Sequence, residues 1–105
     1  SGQDGDQAAL NRVALGTQTV DVWKDARELG TSAGTAAVAL CGDPDPANVP
    51  DTAPFTTPGG IDITSILLTP IPITADNLDV LVDAGWISED ELCQGVEPGS
   101  VAVCP

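Results

Sequence analysis

Apolar side chains at Ala9, Leu10, Val13 and Ala14 fall at helical spacing and predict a helix over residues 6–15, with Asp6 as its N-cap and Gly16 as its stop. Thr17 to Trp23 reads as a strand, because Thr, Val and Trp favour extended backbone and Val20 and Val22 fall on one face. A second helix, rich in Ala and Gly, is predicted from about Ala26 to Leu40 and closed by Gly42. Gly30, Gly34 and the alanines between them have the look of a close-packing helix face. Residues 42–60 hold five prolines among aspartates without any period, the pattern of a surface loop. Asp43 and Asp45 alternate as in calcium loops, but the prolines and the lack of Gly and Glu at the required offsets argue against that use. Ile61 to Thr69 reads as a strand that stops at Thr69-Pro70-Ile71-Pro72, where the prolines remove ladder donors. Thr74 is placed to cap a helix carrying Leu78, Leu81 and Val82 and ending at Gly85. Ser88 and Glu91 have capping-box spacing for a last short turn. Strand and helix alternate throughout, the pattern of a parallel α/β protein. So few strands do not complete such a sheet, and partners outside this sequence are expected.

Length and composition sharpen that expectation. The chain has 105 residues and no Met, so it is expected to be a processed product or a segment of something longer. Apolar residues make up 42% of it, with Trp23, Phe55 and Trp86 as the aromatics. A chain of this size hides only about two-thirds of its unfolded surface, which makes for a thin core. Sixteen acidic against three basic residues give a net charge of −13. Nucleic acid is therefore not an expected partner, since phosphate binding needs Lys and Arg to displace counterions, and anionic membrane surfaces would repel the chain. Most of these carboxylates read as a solvated surface. No apolar run has the length of a transmembrane span.

Candidate chemistry is sparse. Cys93 and Cys104 bracket the ten-residue stretch QGVEPGSVAV, which can fold back and bring the sulfurs together as a disulfide, suited to an extracytoplasmic protein. Metal ligation competes with that reading but lacks any His or Cys-x-x-Cys pair. Cys41 is left over, either buried as a small apolar residue or paired outside this segment. Without His there is no usual general base, and neither a Gly-x-Ser-x-Gly elbow nor a phosphate-cradling glycine loop occurs. No enzymatic activity, cofactor or metal is expected of this segment. Asp4 precedes the first helix and Lys24 ends the strand over 17–23, one α/β repeat later. Ligands of open α/β sheets bind at the carboxyl ends of strands, so the spacing makes the two a candidate pair of ligand contacts. A simple helix cap and a solvated lysine are the alternatives.

The stretches "SGQD" at the start, "GTQT" at 16–19, Trp23-Lys24, "LLTPI" at 67–71, the "T-x-x-N" of 74–77 and "DAGWISEDEL" at 83–92 occur in order. They resemble the C-terminal third of the xylose-type periplasmic sugar-binding proteins of ABC importers. The proline-rich loop 43–60 departs from that pattern, and the tail with Cys93 and Cys104 looks like an addition. The resemblance implies a type I solute-binding protein, two Rossmann-like lobes closing over a monosaccharide, with xylose as first guess. It implies Asp4 and Lys24 as sugar contacts, and a permease of an ABC importer and the missing N-terminal part of the protein as partners. It assigns residues 1–24 to the C-terminal lobe, 25–69 to the N-terminal lobe and 70–105 to the C-terminal lobe again, with hinge crossings at Lys24-Asp25 and Thr69-Pro70-Ile71. Trp23 is the one aromatic of this segment it puts near the pocket, and Trp86 is expected in the core. The same fold also serves as the ligand-sensing domain of transcription regulators and membrane sensors, and a stand-alone structural domain is a third reading.

Overall fold

The first helix begins where the Asp6 carboxylate accepts a hydrogen bond from the Ala9 amide, filling one of the donors a helix start leaves open. In chain order the elements are β1 (Gly2–Gln3), α1 (Gln7–Ala14), β2 (Asp21–Trp23), α2 (Ala26–Gly42), a 3-10 turn (Pro46–Asn48), β3 (Ala53–Thr56), β4 (Asp62–Ser65), β5 (Ile71–Ile73), α3 (Asp79–Asp83) and α4 (Glu89–Leu92). The computed structural model describes residues 1–105 and divides them into two units, Ser1–Asp25 with Pro70–Pro105, and Ala26–Thr69.

The first unit is built on a sheet of order β1-β2-β5. β1 and β2 are parallel, but β5 runs antiparallel to β2, pairing Ile73 with Asp21 and Ile71 with Trp23. The parallel pairing expected of an α/β protein is present between β1 and β2, and β5 makes the sheet mixed. Pro72, taken from sequence as a strand breaker, lies inside β5. Its carbonyl accepts from the Asn77 side chain, so its missing N–H faces away from β2, where an edge strand has no ladder bond to lose. β2 is also shorter than the predicted strand 17–23. The Thr17 and Gln18 amides both donate to the Arg12 carbonyl at the end of α1, so they are unavailable to the sheet. Its buried face carries Asp21 and Trp23, not Val20 and Val22.

Leu10, Val13 and Ala14 of α1 pack with Trp23, Ile73, Leu78, Leu81, Ile87 and Leu92 as one core. Asn11 fastens α1 to the end of α4 and the segment after it, its amide donating to the Leu92 and Gln94 carbonyls at 2.8 and 2.9 Å. Thr74 does not cap α3. The Thr74 amide donates to the Asn77 side chain at 2.8 Å, closing a separate turn, and α3 starts later from Leu78 without a side-chain cap. α4 has the full capping box expected of Ser88 and Glu91. The Ser88 hydroxyl and amide hold the Glu91 carboxyl below its ordinary value. Cys93 and Cys104 are joined by a disulfide, and the residues between them carry part of the apolar cover of the core.

The second unit has little interior of its own. α2 runs two residues beyond the predicted Leu40, through Cys41 and Gly42, and buries no residue. Cys41 is exposed, which corrects the reading of it as a buried apolar residue. The supposed loop 42–60 contains the 3-10 turn, capped by Asp45, and strand β3, which pairs antiparallel with β4. The Asp45 amide and the Asn48 side chain hold the Asp43 carboxyl below its ordinary range. Pro54 stands opposite Thr64. The Thr57 amide bonds to the Ile61 carbonyl, and alternation from that bond puts Pro54 at a non-hydrogen-bonded position, where its lack of a donor costs no ladder bond. Val49 is buried, while Val38 and Ile61 are 76% and 65% exposed.

Candidate functional site

The site is assembled at the carboxyl ends of the two parallel strands. The Gly2 amide donates to the Val20 carbonyl and the Asp4 amide to the Val22 carbonyl, at 2.9 and 2.8 Å, and these bonds carry the chain straight from β1 into a turn. Asp4 and Gly5 occupy the left-handed region, with φ of 75° and 73°. Gly tolerates this freely, and Asp is among the few side chains that adopt it at modest cost. No larger residue fits at Gly5, because a Cβ there would lie 2.5 Å from Trp23 Cδ1 and 2.8 Å from Trp86 Nε1.

Lys24, directly after β2, brings its Nζ to 2.8 Å from Asp4 Oδ1 and also donates to Gln3 Oε1 at 3.3 Å. The Lys24 and Asp4 side chains are 38% and 62% exposed, so their attraction adds on the order of 0–1 kcal/mol to stability. The pair is not a structural strut. It presents one acceptor and one cationic donor side by side at a strand end, next to an open depression of about 520 Å³ lined by Asp4, Gly5, Asp6, Gln7 and Trp86.

Two features beneath this surface escape sequence reasoning. Asp21 is fully buried, and its Oδ1 accepts from the Gly5 amide at 2.9 Å. Trp86, expected in the core, is half-buried, donates its indole N–H to the Gly5 carbonyl at 2.7 Å, and faces the depression. It meets Trp23 edge to face at 5.5 Å between ring centres. Trp23, the aromatic expected beside the pocket, is 5% exposed and lies underneath, its Nε1 without a hydrogen-bond partner. A carboxylate placed on the buried face of a strand, two residues before a tryptophan, is the signal that marks Asp21. For Trp86 the sequence carries none, since its contact spans eighty-one residues. The arrangement suits a neutral, hydroxyl-rich ligand. Carboxylate oxygens accept from hydroxyls, the ammonium donates to hydroxyl or ring oxygens, and the indole offers apolar cover.

The residues expected at the hinge lie at the junctions of the two units. Asp25 is the last residue of the first stretch of unit one, Thr69 closes the second unit, Pro70 reopens the first, and Ile71 begins β5. No helix is long and apolar enough to cross a membrane.

No family model matches the sequence. Over 94 residues, 88% of this chain, it is 38% identical to the D-xylose-binding periplasmic protein of Escherichia coli K12, of which the match covers 27%. The fold matches the crystal structure of a carbohydrate transporter solute-binding protein from Chloroflexus aurantiacus in complex with D-glucose. That match has a TM-score of 0.72 and 32% identity and covers 86% of this chain and 26% of that one. Sequence and fold together thus relate this chain to the sugar solute-binding proteins of transport systems, of whose length it spans about a quarter.

Proposed function

We propose that the chain is the C-terminal part of a sugar-binding component of an ABC importer, acting outside the cytoplasm. It would bind a monosaccharide, xylose-like in the first instance, and deliver it to a membrane permease. No covalent chemistry is part of this reading. Asp4 and Lys24 are the sugar contacts. The observation that carries the assignment is their pairing at the ends of adjacent parallel strands, in a chain homologous to a D-xylose-binding protein. Asp4 and Lys24 offset each other's charge, as suits a contact pair for an uncharged ligand, and each charge-assisted bond to a hydroxyl is worth about 1.5–3 kcal/mol once water is excluded.

Residues 1–24 and 70–105 are assigned to the C-terminal lobe and 25–69 to the N-terminal lobe. The crossings at Asp25 and at Thr69-Pro70-Ile71 serve as hinge, where Pro70 limits which torsions take up closure. The exposed apolar side chains of residues 26–69 support this reading, since they need cover from the remainder of the protein. In the complete protein, Asp4→Ala and Lys24→Ala are each expected to weaken D-xylose binding by about tenfold or more. Calorimetry finding unchanged affinity in both variants refutes the site.

A further inference from the structure

We infer that Asp21 and Trp86 are positioning residues that hold the Asp4–Gly5 turn left-handed, so that the Asp4 carboxylate stands ready for its ligand beside Lys24. This rests on the reading of Asp4 as a sugar contact. Even for Asp, a residue at φ 75° carries a local cost, and the surroundings hold it there. Here they do so from three directions. The Asp4 amide is bound to the Val22 carbonyl, the Gly5 amide to the buried Asp21 carboxylate, and the Gly5 carbonyl to the Trp86 indole. Both backbone polar groups of Gly5, its amide and its carbonyl, are therefore engaged by side chains from elsewhere in the chain, one from β2 and one from the turn after α3.

Burial gives Asp21 its grip. A carboxylate with no exposure is costly to keep unless hydrogen-bonded, and the Gly5 amide is its short partner, with Gln18 Nε2 at 3.5 Å from the other oxygen. The left-handed turn is thus the conformation that satisfies Asp21. Trp86 closes the other side and is itself braced by the edge-to-face contact with Trp23. Gly5 is trapped between the two indoles, with no room for a Cβ. A turn fixed this way spends no binding energy on ordering its carboxylate when ligand arrives.

The test uses the full-length protein that carries this chain, with D-xylose and D-glucose as probes. Trp86→Phe keeps a ring and removes the donor, Asp21→Ala removes the acceptor, and Asp21→Asn restores an acceptor oxygen. Asp4→Gly deletes the carboxylate while tolerating the positive φ. Trp86→Phe and Asp21→Ala are each expected to raise Kd about tenfold for the sugar bound, with Asp21→Asn recovering most of the loss. In the Asp4→Gly background, Trp86→Phe is expected to change Kd by no more than about twofold, since the ring that remains keeps the apolar cover and the lost N–H acts through Asp4. Hydrogen exchange of the Gly5 amide, followed by NMR, is expected to speed up in Trp86→Phe. A Trp86→Phe effect that is fully additive with Asp4→Gly, or unchanged Gly5 exchange, overturns the positioning role alone. Unchanged affinity in Asp4→Gly overturns the sugar reading and the role together. Should Asp21→Ala not fold, Trp86→Phe and its cycle with Asp4→Gly decide the matter.

Discussion

Gly5 sits at the crossing of three constraints: a positive φ, two indoles that leave no room for a Cβ, and hydrogen bonds on both its amide and its carbonyl. Gly5→Ala is therefore expected to destabilise the protein by about 1–3 kcal/mol or more, from left-handed strain and from pushing the rings apart, read as a lowered denaturant midpoint. A midpoint unchanged or raised, as is expected of Gly30→Ala in the exposed helix α2 where nothing crowds the new methyl, goes against the crowding. Glu91 gives a second prediction at this scale. Its carboxylate accepts from the Ser88 hydroxyl at 2.6 Å and from the Ser88 amide at 3.2 Å, which lowers its pKa from the ordinary 4.5. A carboxyl depressed in the native state contributes stability that is present above its unfolded pKa and is lost as pH falls through the native one. Between about pH 6 and pH 3, the protein is expected to lose more thermal stability than Glu91→Gln does, because the variant has no proton to take up there. Equal losses in the two mean that the capping box is idle.

Elements differ in how openly the sequence declares them. α1 was legible because its four buried residues, its Asp6 cap and its Gly16 stop agree with each other, and such consistency of local signals is what folding sequences show. The box at Ser88 and Glu91 was legible for the same reason. β3 and β5 were hidden by their prolines, which local rules read as breakers. Pro54 and Pro72 are harmless because each turns its missing donor away from the paired strand, a matter of register that only pairing decides. At the tail, the disulfide closes a loop with a sequence separation of 11. In the chain-entropy view, a loop of this length is worth about 3 kcal/mol. Replacing both Cys93 and Cys104 by Ser is expected to cost about that much in denaturant unfolding, and reductant is expected to lower the wild-type midpoint to match. A midpoint indifferent to reductant argues that the tail adds nothing to the core.

At the scale of the whole molecule, the candidate site was readable in outline and not in depth. One α/β repeat separates Asp4 from Lys24, and that spacing puts their side chains together. The support beneath them depends on Asp21 and Trp86, whose roles arise from contacts made only once the chain has folded. The two units also stand differently toward stability. Residues 1–25 and 70–105 enclose a core of Leu10, Ile73, Leu78, Leu81 and Leu92 with almost no exposure. Residues 26–69 offer a helix without one buried side chain and a two-stranded hairpin whose residues are nearly all exposed. A helix of seventeen residues is marginal in water without a packed face, and an isolated hairpin is no better. A peptide comprising Ala26–Thr69 is therefore expected to give a largely unstructured circular dichroism spectrum and a featureless, non-cooperative melt. Adding back the remainder of the complete protein should bring its signal up, because Val38 and Ile61 at 76% and 65% exposure are surface that an apolar partner would cover at about 25 cal/mol per Å². A sigmoidal melt of the peptide by itself would mean that it finds a core among its own exposed residues, and the second unit would then need no partner.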